Sequence, residues 1–585
     1  MQSKKDSLLN DRGNRQRSRL KRFIVLATVL VSVLAFLSFP SQQTAPVAAQ
    51  TTSLVSLIKD INTEPFGAPD QPNEGKTSPS IVYGILSNAN HIYSDGNQVY
   101  IIAGAKTSHE DLWKSDGSAE GTIRIKEDDN FSEHSYLFQS INGRFLFSMD
   151  SRLFQTDGTP EGTSELAALP GITAGIINNQ LIGLSEELRL WTSNGTPAGT
   201  KNLGIVPGSN LKRVKSLFSE TSLNGKFYFL VHELTIIPPP NADLPDQPLE
   251  IKPVELWETD GTIAGTKVVA TLSNKVRNVS KLVVLDNKIY FVVDCVDLNK
   301  QYYELWVSDG TAEGTQRIIA SPIFDANLAR YAAPAIDVLN GKLYFTGKDL
   351  EHGTELWVSD GTSAGTHLVR DINPGPEDGL VRLQTIHDTL LLTASDGVSG
   401  FELWASDGTA EGTYQVADIA PGPYSSTPVS FAPGSDFVAF SADDGVLGRE
   451  PYKLAAPTAV TLHGSAASLA GAGPQSQVAV PLSYGNNGVT KAQSLTLSLE
   501  LPSGLSYVSD TLGVAPTITG NLIEWHLPDA SYLSKRSASV VLATPDQPYG
   551  TRFPLTFTLK ADGVTPLTFQ SEVMIAHQVY LPIVR

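Results

Sequence analysis

The residues of this sequence that could carry out chemistry are carboxylates, histidines and one thiol. Asp396, Asp443 and Asp444 lie in glycine-rich turns, where carboxylate oxygens are typical Ca²⁺ ligands, and these three are the candidate metal ligands. The ten histidines share no common spacing, His-Glu-x-x-His does not occur, and no Gly-x-Ser-x-Gly nucleophile motif is present. We therefore assign no catalytic residue and no cofactor other than calcium.

The single cysteine, Cys295, ends an apolar run over residues 289–295 that is typical of a strand. A catalytic thiol needs an electropositive, partly exposed setting with a nearby histidine, and the run offers neither. We interpret Cys295 as a buried structural thiol. One cysteine also excludes a disulfide within the chain.

The element that must position these residues is a repeat, Glu-Leu-Trp-x-Ser-Asp-Gly-Thr-x-x-Gly-Thr. Its aromatic position falls at residues 113, 154, 191, 257, 306, 357, 404 and 452, so the spacings are 41, 37, 66, 49, 51, 47 and 48 residues. A period in the forties is typical of the four-stranded blade of a β-propeller. The repeated tryptophans and aspartates are Trp113, Asp116, Trp191, Trp257, Asp260, Trp306, Asp309, Trp357, Asp360, Trp404 and Asp407.

The Asp-Gly-Thr part of the repeat predicts a structural turn. An aspartate carboxylate accepts backbone N–H groups in an Asx-turn, and glycine supplies a positive φ at little steric cost. A catalytic group is expected once, whereas these residues recur in successive units. Six of the seven tryptophans occupy the repeat position, which favours packing over sugar binding for them.

The two ends of the repeated segment complement each other. Residues 54–62 match the fourth strand of a unit, whereas the last unit, which ends near Leu454, has no fourth strand of its own. We predict that the N-terminal strand completes the last unit and closes the propeller without an open edge. Eight blades are expected, with seven as the alternative.

The repeat resembles the ELWxxDGT-repeat family of exported bacterial proteins over residues 54–454, with departures at Phe154, Asn194 and the last unit. The Asp-Gly-Thr loop is also similar to the Asp-box of sialidase-like propellers, which is structural there. The resemblance implies an exported β-propeller and says little about activity. We place this domain at residues 50–455.

The pattern of apolar and polar residues changes after the repeats. Residues 477–484 and 494–501 alternate apolar and polar positions, which predicts half-buried strands of a small β-sandwich. The segment around Trp525 resembles an Ig-like repeat of bacterial surface proteins, and such modules usually act as spacers. We place the sandwich at residues 456–566 and a tail at 567–585, whose apolar end is either a sorting tail or a last strand.

The N-terminus has the features of a targeting segment. Basic residues precede an apolar run over residues 23–39, and small residues follow at Val47 and Ala49. This order predicts a secretory signal within residues 1–49 that is cleaved after Ala49, with an uncleaved membrane anchor as the alternative. Either reading places the rest of the chain outside the cell or on its surface, and contact with the membrane would be through this segment alone.

The charge of the chain limits its partners. The formal net charge is −18, and because the first 22 residues carry a net +6, the remainder carries −24. Such a surface repels phosphate backbones, so nucleic acid is not an expected partner. We expect a non-enzymatic scaffold that binds an extracellular protein or glycan, aided by a Pro-rich insertion at residues 236–253. A propeller hydrolase or lyase acting on extracellular glycans is the alternative.

Overall fold

The computed structural model describes residues 54–61, 91–96, 98–106, 109–127, 138–149, 152–168, 172–185, 188–206, 220–234, 251–272, 276–297, 300–320, 324–325 and 334–576. These residues form 44 strands and no helix, so the described chain is all-β as expected. None of them belongs to a helix of the length and apolarity that crossing a membrane requires. The predicted signal or anchor at residues 1–49 lies outside the described residues.

The strands up to Ala455 form eight antiparallel sheets, numbered 1 to 8, one for each copy of the repeat. In sheets 1 to 4, from the first to the fourth strand, they are β2 (His91–Ser94), β3 (Val99–Lys106), β4 (His109–Ser115) and β5 (Ile123–Lys126); β6 (Phe138–Ile141), β7 (Arg144–Met149), β8 (Arg152–Thr156) and β9 (Ser164–Ala168); β10 (Ile172–Ile177), β11 (Gln180–Ser185), β12 (Arg189–Ser193) and β13 (Lys201–Ile205); β14 (Glu220–Leu223), β15 (Lys226–Leu234), β16 (Ile251–Thr259) and β17 (Lys267–Thr271).

Sheet 5 has six strands because its first strand is split and a short edge strand is added, whereas sheets 6 to 8 have four each. The strands are β18 (Val276–Val279), β19 (Val283–Leu285), β20 (Lys288–Asp297), β21 (Lys300–Ser308), β22 (Gln316–Ala320) and β23 (Phe324–Asp325); β24 (Ile336–Leu339), β25 (Lys342–Asp349), β26 (Gly353–Ser359) and β27 (His367–Arg370); β28 (Leu380–Ile386), β29 (Thr389–Ala394), β30 (Glu402–Ser406) and β31 (Tyr414–Ala417); β32 (Val429–Pro433), β33 (Phe437–Asp443), β34 (Arg449–Ala455) and β1 (Val55–Leu57).

Two-residue turns join the first and second strands of most sheets. In Asn142-Gly143 and Asn340-Gly341, for example, both residues have positive φ, between 49° and 73°. That is the backbone of a type I′ turn, whose twist matches the flanking strands and which favours Asn-Gly. The Asn-Gly signals of the sequence therefore fix the hairpins of the repeat.

Apolar clusters hold neighbouring sheets together. The second strand is the most buried, and β29 is buried at all six positions because a sheet covers each of its faces. Each sheet shares an apolar cluster with the next one along the chain. Sheet 8 shares one with sheet 1, in which Ile58 and Phe437 pack with Ile101.

The N-terminal strand β1 is the fourth strand of sheet 8. Val55 and Leu57 pair antiparallel with Leu454 and Tyr452 of β34, and Ile58 N donates to Pro451 O over 2.8 Å. The strand pairing predicted for residues 54–62 is therefore present.

Two further sheets form the C-terminal unit and enclose one apolar cluster with Trp525 fully buried, as predicted for this tryptophan. The first sheet has the strands β35 (Leu462–Ala466), β37 (Gln477–Asn486), β42 (Ser534–Ala543) and β39 (Ser506–Asp510); the second has β36 (Ala470–Ala472), β44 (Leu567–Ile575), β43 (Arg552–Lys560), β38 (Thr496–Glu500), β41 (Leu522–His526) and β40 (Thr517–Thr519).

Two boundaries predicted from the sequence are wrong. The tail was expected from residue 567, but β44 buries alternate apolar residues such as Phe569 and Val573 and pairs with β43, so residues 567–575 belong to the C-terminal unit. The Pro-rich insertion was expected to reach residue 253, but Ile251 already starts β16 and pairs with Leu234. Residues 235–250 and 577–585 lie outside the described residues.

Candidate functional site

The loop between the third and fourth strands shows why its residues recur. In sheet 5, Asp309 Oδ1 accepts Thr311 N over 2.9 Å and Thr311 Oγ1 over 2.7 Å. Thr311 Oγ1 accepts Gly314 N over 3.0 Å, and Thr315 Oγ1 donates to Thr311 O over 2.6 Å. A hydrogen bond of 2.7 Å between Ser308 Oγ and Thr315 Oγ1 ties the two ends of the loop together. The Asx-turn predicted from the sequence is confirmed.

The same bonds recur in seven sheets, and glycine is required at two positions of each loop. The first glycine has φ between 83° and 91°. A Cβ on the second glycine would lie within 1.8 to 2.1 Å of the side-chain oxygen that caps the turn, which excludes every larger residue. The capping residues are Asp116, Asp157, Asn194, Asp260, Asp309, Asp360 and Asp407.

The capping aspartates are already hydrogen-bonded within their own loops. The hydroxyl of the Ser or Thr two residues later, together with the backbone N–H of that residue, lowers the pKa of Asp309 and Asp360 below the usual value. The same causes lower the pKa of Asp116, Asp157 and Asp260. A carboxylate that accepts these bonds in its own loop is a turn residue, and its depressed pKa does not suit a general acid.

The repeated tryptophans pack into the apolar clusters between neighbouring sheets, and all seven tryptophans are buried or half-buried. The indole Nε1 of Trp257 and of Trp306 donates to the glutamate two residues earlier, over 3.0 and 2.9 Å. Basic side chains lie over two others, with Lys59 Nζ 5.6 Å from the ring centre of Trp113 and the Arg370 guanidinium 5.9 Å from that of Trp404. These rings serve packing, as the sequence predicted.

The glutamate that begins the repeat has a role that the sequence did not predict. Glu355, Glu402 and Glu450 are fully buried. Glu355 Oε2 accepts Ile372 N over 2.9 Å, and Glu402 and Glu450 accept Ile419 N and Ile61 N over 2.8 and 2.9 Å. Each glutamate thus acts as a clamp, which means that it bonds the backbone of the segment that follows the fourth strand of its sheet. The sequence feature that could have predicted this role is the dipeptide Asp-Ile, which recurs after that strand and begins at residues 60, 371 and 418.

The environment of Glu355 strongly perturbs its carboxyl group. Burial raises its pKa from 4.5 to about 8 despite two backbone donors, and Asp371 and Asp378 nearby raise it further. Asp378 itself is held by a buried ion pair with Lys348 Nζ at 2.8 Å. Because Glu355 is fully buried and bonded to backbone, its carboxyl group cannot reach a substrate from this position.

The candidate calcium ligands lie in the turns between the second and third strands of sheets 7 and 8. Asp396 Oδ1 accepts Val398 N and Ser399 N, each over 2.9 Å. Asp443 Oδ1 accepts Gly445 N over 2.8 Å, and Asp444 Oδ1 accepts the two backbone N–H groups that follow Gly445. These bonds make the three aspartates caps of their turns. Within the described ranges, no three His, Cys, Asp or Glu side chains come together in a group that could hold a metal ion.

The same turns present apolar side chains to solvent. Leu350, Val398 and Val446 occupy the tips of the second-to-third-strand turns in sheets 6, 7 and 8, and they are 64%, 73% and 77% exposed. Tyr424, in the segment between sheets 7 and 8, is exposed as well. Glycine is required at position 400, because a Cβ there would lie 1.9 Å from Tyr424 O.

The C-terminal unit contacts the opposite ends of sheets 7 and 8. Tyr532 is fully buried between them and packs edge-on against His387, in the turn between the first and second strands of sheet 7, with 5.8 Å between ring centres. Tyr414, at the start of β31, donates to Leu533 O over 2.8 Å. Because neighbouring strands are antiparallel, the turn between the first and second strands and the turn between the second and third strands lie at opposite ends of a sheet. The C-terminal unit therefore contacts the ends that face away from Leu350, Val398 and Val446.

No protein-family model and no curated protein matches this sequence. Similar solved structures include an oligogalacturonate lyase from Vibrio parahaemolyticus at 12% identity, covering 64% of this chain and 99% of that chain, with a TM-score of 0.34. A gluconolactonase from Xanthomonas campestris is 14% identical, covers 53% of this chain and 96% of that one, and has a TM-score of 0.25. A non-cellulosomal cohesin from Archaeoglobus fulgidus is 16% identical, with coverage of 20% and 93% and a TM-score of 0.15. Likenesses at this level assign no activity to this chain.

Proposed function

We propose that the protein is an exported, non-enzymatic scaffold that binds an extracellular protein partner. Its eight sheets are the blades of a β-propeller of the ELWxxDGT-repeat type, closed by the N-terminal strand β1, and the C-terminal unit is an Ig-like sandwich. The apolar cluster between sheets 8 and 1 supports closure, because it continues the series of clusters between consecutive sheets. The basic and apolar N-terminus supports export.

The observation that carries a binding role is the row of exposed apolar tips at Leu350, Val398 and Val446. These side chains lie in the turns between the second and third strands of three consecutive sheets, at the ends that the C-terminal unit leaves uncovered. Val398 and Val446 stand two residues after the capping aspartate of their turns, and Leu350 stands one residue after it. Recurring apolar exposure at one face is typical of a protein-binding surface. Aliphatic tips make no hydrogen bonds to hydroxyl groups, so they favour a protein over a glycan as the partner.

The non-enzymatic part of the proposal rests on how the repeat uses its polar groups. The capping aspartates bond within their own loops, and the clamp glutamates are buried against backbone N–H groups. The repeat residues therefore already have structural tasks, which is what a scaffold needs and what a catalytic constellation would not repeat.

The test is an array of extracellular proteins and glycans probed with residues 50–585. A variant with Leu350→Ser, Val398→Ser and Val446→Ser should lose binding to protein features at least about tenfold, because apolar contact area drives such binding. Since all three side chains are exposed, its stability should change little. The matched control is Ile518→Ser, an exposed apolar residue of the C-terminal unit, which should bind like the wild type.

Three results would contradict the proposal. Binding to glycans alone would exclude a protein partner, and equal binding by the triple variant would exclude the apolar tips. Turnover of any arrayed glycan would exclude a non-enzymatic role.

A further inference from the structure

The N-terminal strand lies at the outer edge of sheet 8. The strand β1 has only three residues, and its outer edge has no neighbouring strand among those described. Ser56, in the middle of the strand, is exposed. A strand this short at a sheet edge is expected to open locally unless further contacts hold it.

The C-terminal unit makes hydrogen bonds at this edge through Tyr532. Its hydroxyl donates to Ala455 O over 2.8 Å, and its backbone N–H donates to Asp388 Oδ1 over 3.1 Å. Thr389 Oγ1 in turn donates to Tyr532 O. Tyr532 thus bonds to the last residue of β34 and to the first hairpin of sheet 7 at the same time.

Ala455 links this contact to the N-terminal strand. Its carbonyl accepts the Tyr532 hydroxyl, while its N–H donates to Leu54 O over 2.8 Å. Leu54, Val55 and Leu57 also pack against the apolar cluster that contains Tyr532 and Leu533. Residues of the N-terminal strand and of the C-terminal unit therefore meet in one buried cluster.

We infer that the C-terminal unit acts as a clasp that keeps β1 paired with sheet 8. This role goes beyond the binding function proposed above and does not depend on it. A module usually taken for a spacer is, in this chain, a part of the sheet assembly that keeps the first strand in place.

Hydrogen exchange on residues 50–585 tests the clasp at β1 itself. Tyr532→Phe keeps the buried ring and removes the bond to Ala455, and it should speed exchange of the amides in residues 54–61 about fivefold, the effect of one lost hydrogen bond. Tyr532→Ala also removes the buried ring and should speed it tenfold or more. The matched control is Tyr507→Phe, which removes a tyrosine hydroxyl bond to Asp510 inside the C-terminal unit and should leave residues 54–61 unchanged.

A second measurement perturbs the N-terminal segment and follows hydrogen exchange in the C-terminal unit. Glu450→Gln weakens the clamp on Ile61, and because coupling is reciprocal, it should speed exchange at Tyr532 and Leu533. Wild-type protection in β38 and β43 identifies variants whose C-terminal core remains folded. If Tyr532→Ala does not fold, Tyr532→Phe and Glu450→Gln decide the question.

The clasp is overturned if the Tyr532 variants speed exchange only in residues 528–536 and leave residues 54–61 at the wild-type rate. It is equally overturned if Glu450→Gln leaves Tyr532 and Leu533 unaffected. Either result would make the C-terminal unit a domain that is docked on sheets 7 and 8 without holding β1.

Discussion

At the scale of single residues, substitutions at Asp309 distinguish a structural role in the turn from a metal-binding or catalytic role. Asp309→Ala removes the acceptor of two hydrogen bonds and should lower the free energy of unfolding by about 1 kcal/mol. Asp309→Asn should unfold like the wild type, because Asn194 accepts the same two bonds in sheet 3, over 3.1 and 2.7 Å. Urea unfolding of the two variants measures the difference.

The matched pair makes the outcome decisive. If Asn and Ala at position 309 were equally destabilising, the negative charge itself would be required, as it is for a bound cation. The turn role of all seven capping residues would then have to be reconsidered.

Glu355 predicts a dependence of stability on pH. Its pKa is about 8 in the folded chain against an ordinary 4.5, so between these values the folded state holds a proton that the unfolded chain has released. The free energy of unfolding from this group therefore falls as the pH rises from 4.5 to 8 and is level above that range. Glu355→Gln cannot titrate and should lack this loss.

Melting temperatures of the wild type and Glu355→Gln between pH 5 and 9 test this. The variant should gain several degrees on the wild type from pH 5 to pH 8, with no further gain at pH 9. Parallel curves would mean that the carboxyl group titrates near its ordinary pKa in the folded chain.

At the scale of elements, seven sheets share a β-bulge that links the motif to the sheet. The register between third and fourth strands shifts between the Leu and the aromatic residue of the motif, as at Leu305 and Trp306. A bulge bends the strand and re-aims its side chains. The shift therefore lies beside the aromatic residue that packs between neighbouring sheets, two residues after the glutamate that begins the motif.

The strand β1 gives the prediction at this scale. Removing residues 50–63 deletes β1 and the residue bonded by Glu450, which makes β34 the edge strand of sheet 8, paired on one side only with β33. The melting temperature should fall, because an apolar edge is exposed and the buried carboxyl group of Glu450 loses one hydrogen-bond donor. Scanning calorimetry of residues 64–585 against 50–585 measures it, and coincident curves would contradict a structural role for the N-terminal strand.

The sequence predicted those elements whose residues repeat. Eight copies of the motif predicted eight sheets, and the match between residues 54–62 and later fourth strands predicted the pairing of β1. The burial of Glu355 could not be read in the same way, because an acidic residue in a repeat is compatible with an exposed face. Tyr532 has no counterpart in any other unit, and a contact between distant segments leaves no local pattern.

At the scale of the whole molecule, a fall in pH has opposite effects on solubility and on the stability of the fold. Residues 50–585 carry −24, and the full chain has an isoelectric point near 5.0, so without the basic N-terminus neutrality lies below pH 5. As the pH falls toward this value, the repulsion between copies of the chain disappears and self-association should increase. Over the same range, protonation of Glu355 stabilises the folded state.

Light scattering between pH 4 and 8 separates the two effects. The onset of scattering should be the same for the wild type and Glu355→Gln, because the variant removes one buried group that hardly contributes to the surface charge of the folded chain at pH 5. Added salt should reduce the dependence of scattering on pH, since it screens the repulsion. A lower onset pH for Glu355→Gln would instead show that association follows unfolding, and that stability rather than net charge keeps the copies apart.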